Sequence, residues 1–121
     1  MTTLYKLTDQ NNQTYSNTQW GENITHTALG EGDLCTADWI HAYTHPLLAV
    51  FLNPIHGKFN NPILWECEGD IGLSDHGLKV GCRSLTTLRR ISLPQVSTEQ
   101  RIRFAILCAL EVYQDVSFVL W

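Results

Sequence analysis

The longest stretch of this 121-residue chain with a defined start, a dense apolar run and no internal glycine or proline is residues 97–113, STEQRIRFAILCALEVY. Ser97 fits an N-cap, and Gln100, three residues on, can reach back to it as in a capping box. Pro94 lies just upstream, where it ends a preceding strand without harming the helix. Ile102, Ala105, Ile106, Ala109 and Leu110 share one helical face. Phe104, Leu107, Cys108 and Val112 make the other side apolar as well. A helix apolar nearly all round is normally buried on both faces. The expectation is therefore a helix that meets its own sheet on one side and a second copy of the chain on the other, giving a homo-oligomer through 97–113.

The rest of the chain reads mostly as strands. Residues 2–7 alternate, and the turn at 9–12 is expected to return the chain into a short partner at 13–15. A β-branched strand follows at 23–28, then short pieces at Leu34-Cys35 and at 39–44. Thr44 is placed to cap a short apolar helix, PLLAVFLN, with Pro46 at its first position and Pro54 closing it. Residues 63–69, ILWECEG, alternate with Leu64, Glu66 and Glu68 on one side. A polar, glycine-containing turn at 70–77 leads into two adjacent strands at 78–82 and 84–93. In the second, Leu85, Thr87, Arg89 and Ile91 share a face. Strands first, a short helix in the middle and a long helix last make an α+β pattern. The expected fold is a small antiparallel sheet with a short middle helix and a long C-terminal helix on one face, in a single domain over 1–121.

Composition narrows the function classes. Apolar residues at 44% against charged residues at 17% describe a soluble globular chain rather than a disordered one. A net charge of −4 argues against binding duplex nucleic acid through bulk electrostatics. No apolar run approaches the roughly 20 residues that span a bilayer, so no membrane partner is expected. The start, MTTLYKLTDQ, lacks the layout of a signal peptide. The expected location is the cytoplasm. Cys35, Cys67, Cys82 and Cys108 are then reduced thiols, and without a CxxC they do not make a zinc knuckle.

The charges are segregated. Six of the eight basic residues lie between positions 79 and 103, namely Lys79, Arg83, Arg89, Arg90, Arg101 and Arg103, with only Glu99 acidic among them. Arginine forks and helix N-termini both favour phosphate oxygens. Two strands and a helix packed together would form a small basic recess, with Trp20, Tyr43 and Trp65 near enough to stack a base. The plainer alternative pairs these arginines with Glu66, Glu68, Asp70 and Asp75. The candidate ligand-binding set is Lys79, Arg83, Arg89, Arg90, Arg101, Arg103, Trp20 and Tyr43.

Other chemistry is less supported. His41 and His45 have the spacing of a zinc-binding helix, but Pro46 pushes His45 out of the helical region, so no metal or other cofactor is expected. Cys35 or Cys82 with a histidine would make a nucleophilic pair, and Arg83 would depress the Cys82 thiol. Glu66 and Glu68 share a strand face and would serve as acid–base groups. There is no P-loop and no GxGxxG.

The segments LCTADWIHAYTHPLLAVFLNPIHGKF, LWECEG, LKVGCRSLTTLRRISLP and STEQRIRFAILCALEVY together resemble small phage- and prophage-encoded proteins, most of all the phage Thoeris anti-defence sponge family. The resemblance covers nearly the whole chain, with no single diagnostic motif. It implies a small α+β protein that assembles through helices and binds cyclic ADP-ribose-type signals, and in some cases cyclic oligonucleotides, without cleaving them. The leading expectation is thus a non-enzymatic phage anti-defence protein that sequesters such an immune signal. One alternative is a small enzyme acting on a nucleotide or NAD-like substrate, using His41 and Tyr43 with Glu66 or Glu68. Another is an inhibitor that presents the acidic half, Glu22 to Asp75, to a host defence protein.

Overall fold

The computed structural model describes residues 1–75, 77 and 79–113, the side chains of 54–56 and 111–113 excepted. In chain order the elements are β1 (Thr2–Thr8), β2 (Gln13–Thr14), a single 3-10 turn (Tyr15–Asn17), β3 (Thr18–Gln19), β4 (Ile24–Thr27), β5 (Ile40–Ala42), α1 (Pro46–His56), β6 (Ile63–Asp75), β7 (Lys79–Ile91) and α2 (Thr98–Tyr113). This is the expected α+β fold with an antiparallel sheet and two helices.

The β6–β7 hairpin is the spine, in register from Leu64↔Ile91 to Asp75↔Lys79. β1 pairs the free edge of β6, with Leu4 opposite Cys67 and Lys6 opposite Trp65. The outer edge of β7 serves two strands in succession, β5 along residues 80–82 and β4 along residues 84–87. Immediately after β5, Tyr43 exchanges both backbone hydrogen bonds with Tyr5 of β1, each at 2.8 Å. The chain of pairings β1–β6–β7–β5 therefore returns to β1, and the sheet curls until its ends meet.

That closure divides the core. Inside the curl sit Leu4, Trp20, Ala42, Ile63, Trp65, Cys67, Val80, Cys82 and Leu85. On the outer face, Leu7, Tyr43 and Leu64 are covered by Ala49 and Leu52 of α1. Ile63, Leu64 and Trp65 are consequently all buried, because β6 has cover on both faces there. Beyond the reach of α1, Glu68 and Asp70 are exposed and the strand alternates again.

Several expected boundaries shift. The turn at 9–12 forms, with Asp9 Oδ1 accepting from the Asn11 and Gln13 amides at 2.9 and 2.8 Å. The ladder partner of β1, however, is β6, and residues 13–14 pair with β3 instead. Leu34-Cys35 is a turn rather than a strand piece. His45, not Thr44, caps α1: its Nδ1 accepts from the Leu47 amide at 3.1 Å. α1 also runs past Pro54 to His56. A proline at that position leaves the Val50 carbonyl without its usual i+4 donor, and Arg101 Nη1 lies 3.5 Å from that oxygen.

In place of the expected turn at 70–77 and two strands at 78–82 and 84–93 there is the far end of one long hairpin, β6 running on to Asp75 and β7 a single strand from Lys79 to Ile91. Its register slips at Arg83 and at Gly72 absorb the bend. Glycine is required there by packing: a Cβ at Gly72 would overlap the Trp39 ring, and one at Gly81 would come within 2.6 Å of Leu34.

α2 begins as expected, with the Ser97 amide donating to Gln100 Oε1 at 2.8 Å and the Gln100 amide to Ser97 Oγ at 3.1 Å. Its burial does not match expectation. α1 already covers the outer face of the sheet, so α2 docks mainly by stacking Phe104 on Phe51, ring centroids 4.5 Å apart and 10° from parallel. Ile102, Ile106 and Leu107 are 55%, 54% and 64% exposed, and Cys108 is half-buried rather than core.

Candidate functional site

The seam that closes the sheet is where polar chemistry collects. Pairing between β1 and β5 stops at the single Tyr5–Tyr43 bridge, and a cleft of about 360 Å³ opens beside it. Lys6 and Asp9 enter from β1 and its turn, His41 from β5, Tyr43 from the residue after β5, and Lys79 from the first residue of β7. Asn53 of α1, Phe59 and Tyr15 complete the walls.

Lys6 occupies the face of β1 that points into the curl, between Leu4 and Thr8. Its Nζ donates to the His41 carbonyl oxygen at 2.5 Å across the seam and lies 5.6 Å from the Trp20 ring centroid. Desolvation lowers its pKa to about 8, a shift augmented by the Lys79 charge and opposed by Cys67 and Cys82. Among the described residues no carboxylate forms an ion pair with it. Asp9 lines the same cleft, but its Oδ1 is engaged by two backbone amides.

Lys79 is buried, with Nζ 3.8 Å from Cys35 Sγ. Tyr43 is also buried, and desolvation holds its phenol protonated well above the usual range. His41 presents Nε2 to the Leu34 carbonyl oxygen, which places the proton on that nitrogen. Asn53 is held by Phe59, donating to its carbonyl oxygen and accepting from its amide, both at 2.9 Å. The walls are thus set by hydrogen bonds before any ligand arrives.

Of the eight residues proposed from sequence, Lys79 and Tyr43 line this cleft. Trp20 lies beneath Lys6, buried, with its Nε1 donating to Thr14 Oγ1 at 2.9 Å. The arginines are not gathered into one recess. Arg83 spreads over the Trp39 ring, its guanidinium carbon 5.2 Å from the centroid. Arg89 pairs with Glu66 at 2.8 Å, as the plainer alternative anticipated. Arg90 borders a separate shallow hollow with Ile63 and Leu93. Arg101 reaches Val50, and Arg103 pairs with Glu99 at 3.0 Å one helical turn away. The bulge at Arg83 and the partial docking of α2 send these side chains in different directions.

Other candidates resolve similarly. His45 is a helix cap, and among the described residues no three His, Cys, Asp or Glu side chains come together as a metal site would require. The expectation of a depressed Cys82 thiol is reversed: burial pushes it up to about 11, and pushes Cys67 up to about 12. Glu66, held by Arg89, does not line the cleft with His41 and Tyr43. No helix among the described residues is long and apolar enough to cross a membrane.

Lys6, Asn53 and Phe59 were not singled out from sequence. A lysine inside the alternating run TLYKLT, flanked on its own face by Leu4 and Thr8, is the signal that points to Lys6. Comparison of this chain with protein-family models, with curated proteins and with solved structures gives no match.

Proposed function

We propose that this protein is a non-enzymatic binding protein for a small phosphate-bearing ligand of nucleotide type, held at the seam cleft. The observation that carries the proposal is the pairing of two ammonium groups, Lys6 and Lys79, in one cleft with a single described carboxylate, Asp9, which turns Oδ1 to backbone amides and forms an ion pair with neither among the described residues. A desolvated cation without a counter-ion is an anion site waiting for its charge. Tyr43, Phe59 and Tyr15 offer ring faces for a base. At about 360 Å³ the cleft falls in the lower part of the range for small-ligand sites.

In keeping with the resemblance to the Thoeris anti-defence sponges, the ligand on this reading is a cyclic ADP-ribose isomer or a small cyclic oligonucleotide. The protein acts by retaining it intact in the cytoplasm of an infected host. Copies of the chain associate through the exposed Ile102, Ile106 and Leu107 of α2.

The test is calorimetric titration with cyclic ADP-ribose isomers and cyclic di- and trinucleotides, followed by heat release and mass spectrometry. Saturable binding of one of them, recovered uncleaved and weakened at least tenfold by Lys79→Ala, is expected. Arg89→Ala and Arg103→Ala should leave the affinity within about twofold, since both arginines are occupied by carboxylates. Recovery of a cleaved product, or binding lost with the arginines and kept without Lys79, refutes the proposal.

A further inference from the structure

Two of the chain's three lysines share the cleft, yet their settings differ. Lys79 is buried at the start of β7 against Cys35. Lys6 ends on the cleft surface, anchored by a single neutral acceptor and backed by an aromatic face rather than by a carboxylate. A phosphate needs only positive charge. A half-buried primary amine beside a second cation also has the setting that makes lysines nucleophilic.

We infer that Lys6 captures aldehydes reversibly as imines, and that the favoured substrates are phosphate-bearing aldehydes, including sugar phosphates whose hemiacetal opens to a free carbonyl. The inference rests on reading the cleft as an anion site, with Lys79 holding the phosphate and Lys6 reaching the carbonyl carbon.

The step balances without any co-reactant. The lone pair of neutral Lys6 Nζ forms the C–N bond as the carbonyl π pair moves onto oxygen. A proton then passes from nitrogen to that oxygen, giving a carbinolamine. Loss of the hydroxyl as water leaves the C=N bond, and hydrolysis returns amine and aldehyde unchanged. Nothing is oxidised or reduced, so a ligand held this way is released intact.

Neutral amine is available at ordinary pH. With a pKa of about 8, about a quarter of Lys6 is neutral at pH 7.5, against about 0.1% of an ordinary lysine. That is roughly a two-hundred-fold advantage in reactive form over a lysine of reference pKa; Lys58, exposed on the loop after α1, is the comparison site. The Tyr43 phenol, kept protonated by burial, lines the same cleft.

The test uses the intact protein with pyridoxal 5′-phosphate at pH 7.5, trapped with borohydride and mapped by peptide mass spectrometry. Ribose 5-phosphate serves as a second probe. The three lysines and the terminal amine give separable peptides. The expected result is one reduced adduct on Lys6, in at least tenfold excess over Lys58, and at least fivefold less labelling with pyridoxal, which lacks the phosphate. Lys6→Arg and Lys6→Met should both abolish the adduct, so a folding defect in one variant does not decide the matter. Competition by inorganic phosphate is read in parallel. Trapping confined to Lys58 or the terminus, with phosphate still bound in the cleft, overturns imine capture and leaves the anion site standing. No phosphate binding and no Lys6 adduct overturns both.

Discussion

Lys6→Met isolates what a charged group in the closing seam costs the fold. Between the ordinary value of 10.5 and about 8 in the native state, the unfolded chain binds more protons than the folded one. Stability therefore rises with pH through that window, and the penalty is fully present below pH 8. The full shift corresponds to a ceiling of about 3 kcal/mol. The ammonium is only half-buried and keeps its bond to the His41 carbonyl oxygen, so we take about 1–2 kcal/mol as the working figure. Methionine preserves the length and apolar stem but removes the charge and that hydrogen bond, the latter at a cost of about 1 kcal/mol. The absolute stability change at pH 7 is therefore close to a cancellation, and the slope with pH is the informative quantity.

From pH 7 to 9 the wild type should gain about 0.5–1 kcal/mol relative to Lys6→Met, measured by paired urea denaturation at each pH. The raised thiols of Cys67 and Cys82 and the raised phenol of Tyr43 act in the opposite sense. Their stabilisation is lost only as pH rises beyond about 9. They are common to both proteins, and the comparison stops at pH 9. Asp9, Tyr15, His41 and Lys79, which also line the cleft, are likewise present in both proteins. Parallel pH profiles for the two proteins would refute the idea that the amine is desolvated, and with it the main reason for regarding Lys6 as reactive.

Thr87→Val should destabilise the protein by about 1–3 kcal/mol, because the buried hydroxyl donates to the Gly21 carbonyl oxygen at 2.5 Å and accepts from the Gly21 amide at 3.4 Å. Urea denaturation measures it, and a near-neutral result would show that this tie between β7 and the loop before β4 carries little. Gly72→Ala should cost about 1–3 kcal/mol and change Trp39 fluorescence, since the new methyl would overlap that ring. An unchanged emission spectrum would contradict the packing described. Ile106→Glu lies on an exposed position and should change monomer stability by no more than about 0.5 kcal/mol. Sedimentation velocity should show it monomeric where the wild type self-associates, and equal sedimentation of the two would exclude α2 as the contact.

How much of this fold was legible depends on how local its causes are. The start of α2 is set by Ser97 and Gln100 alone, and the structure makes both expected hydrogen bonds. The docking of α2 depends instead on whether α1 leaves the sheet's outer face free, which no periodicity within 97–113 encodes. The same distinction explains the hairpin. Residues 70–77, with Gly72 and Gly77, read as a turn because glycine usually punctuates chain direction. Here Gly72 and Gly81 lie flat beneath Trp39, a residue some forty positions away in the chain from the latter, so long-range packing rather than a turn explains them.

Charge counting along the chain expected a single basic recess, and the arginines do not form one. Clustering in sequence favoured the arginines, but arginines on neighbouring strands and a helix find nearby partners, as Arg89 does with Glu66 and Arg103 with Glu99. The informative charge was the isolated one, Lys6, set among apolar neighbours on a strand buried on both faces. Such a lysine is retained against its desolvation cost, and closing the seam by one hydrogen bond to His41 does not require a cation: a neutral donor would serve. Its charge, placed beside Lys79 where the sheet's ends meet, is therefore better accounted for by what enters the cleft than by what holds the seam shut.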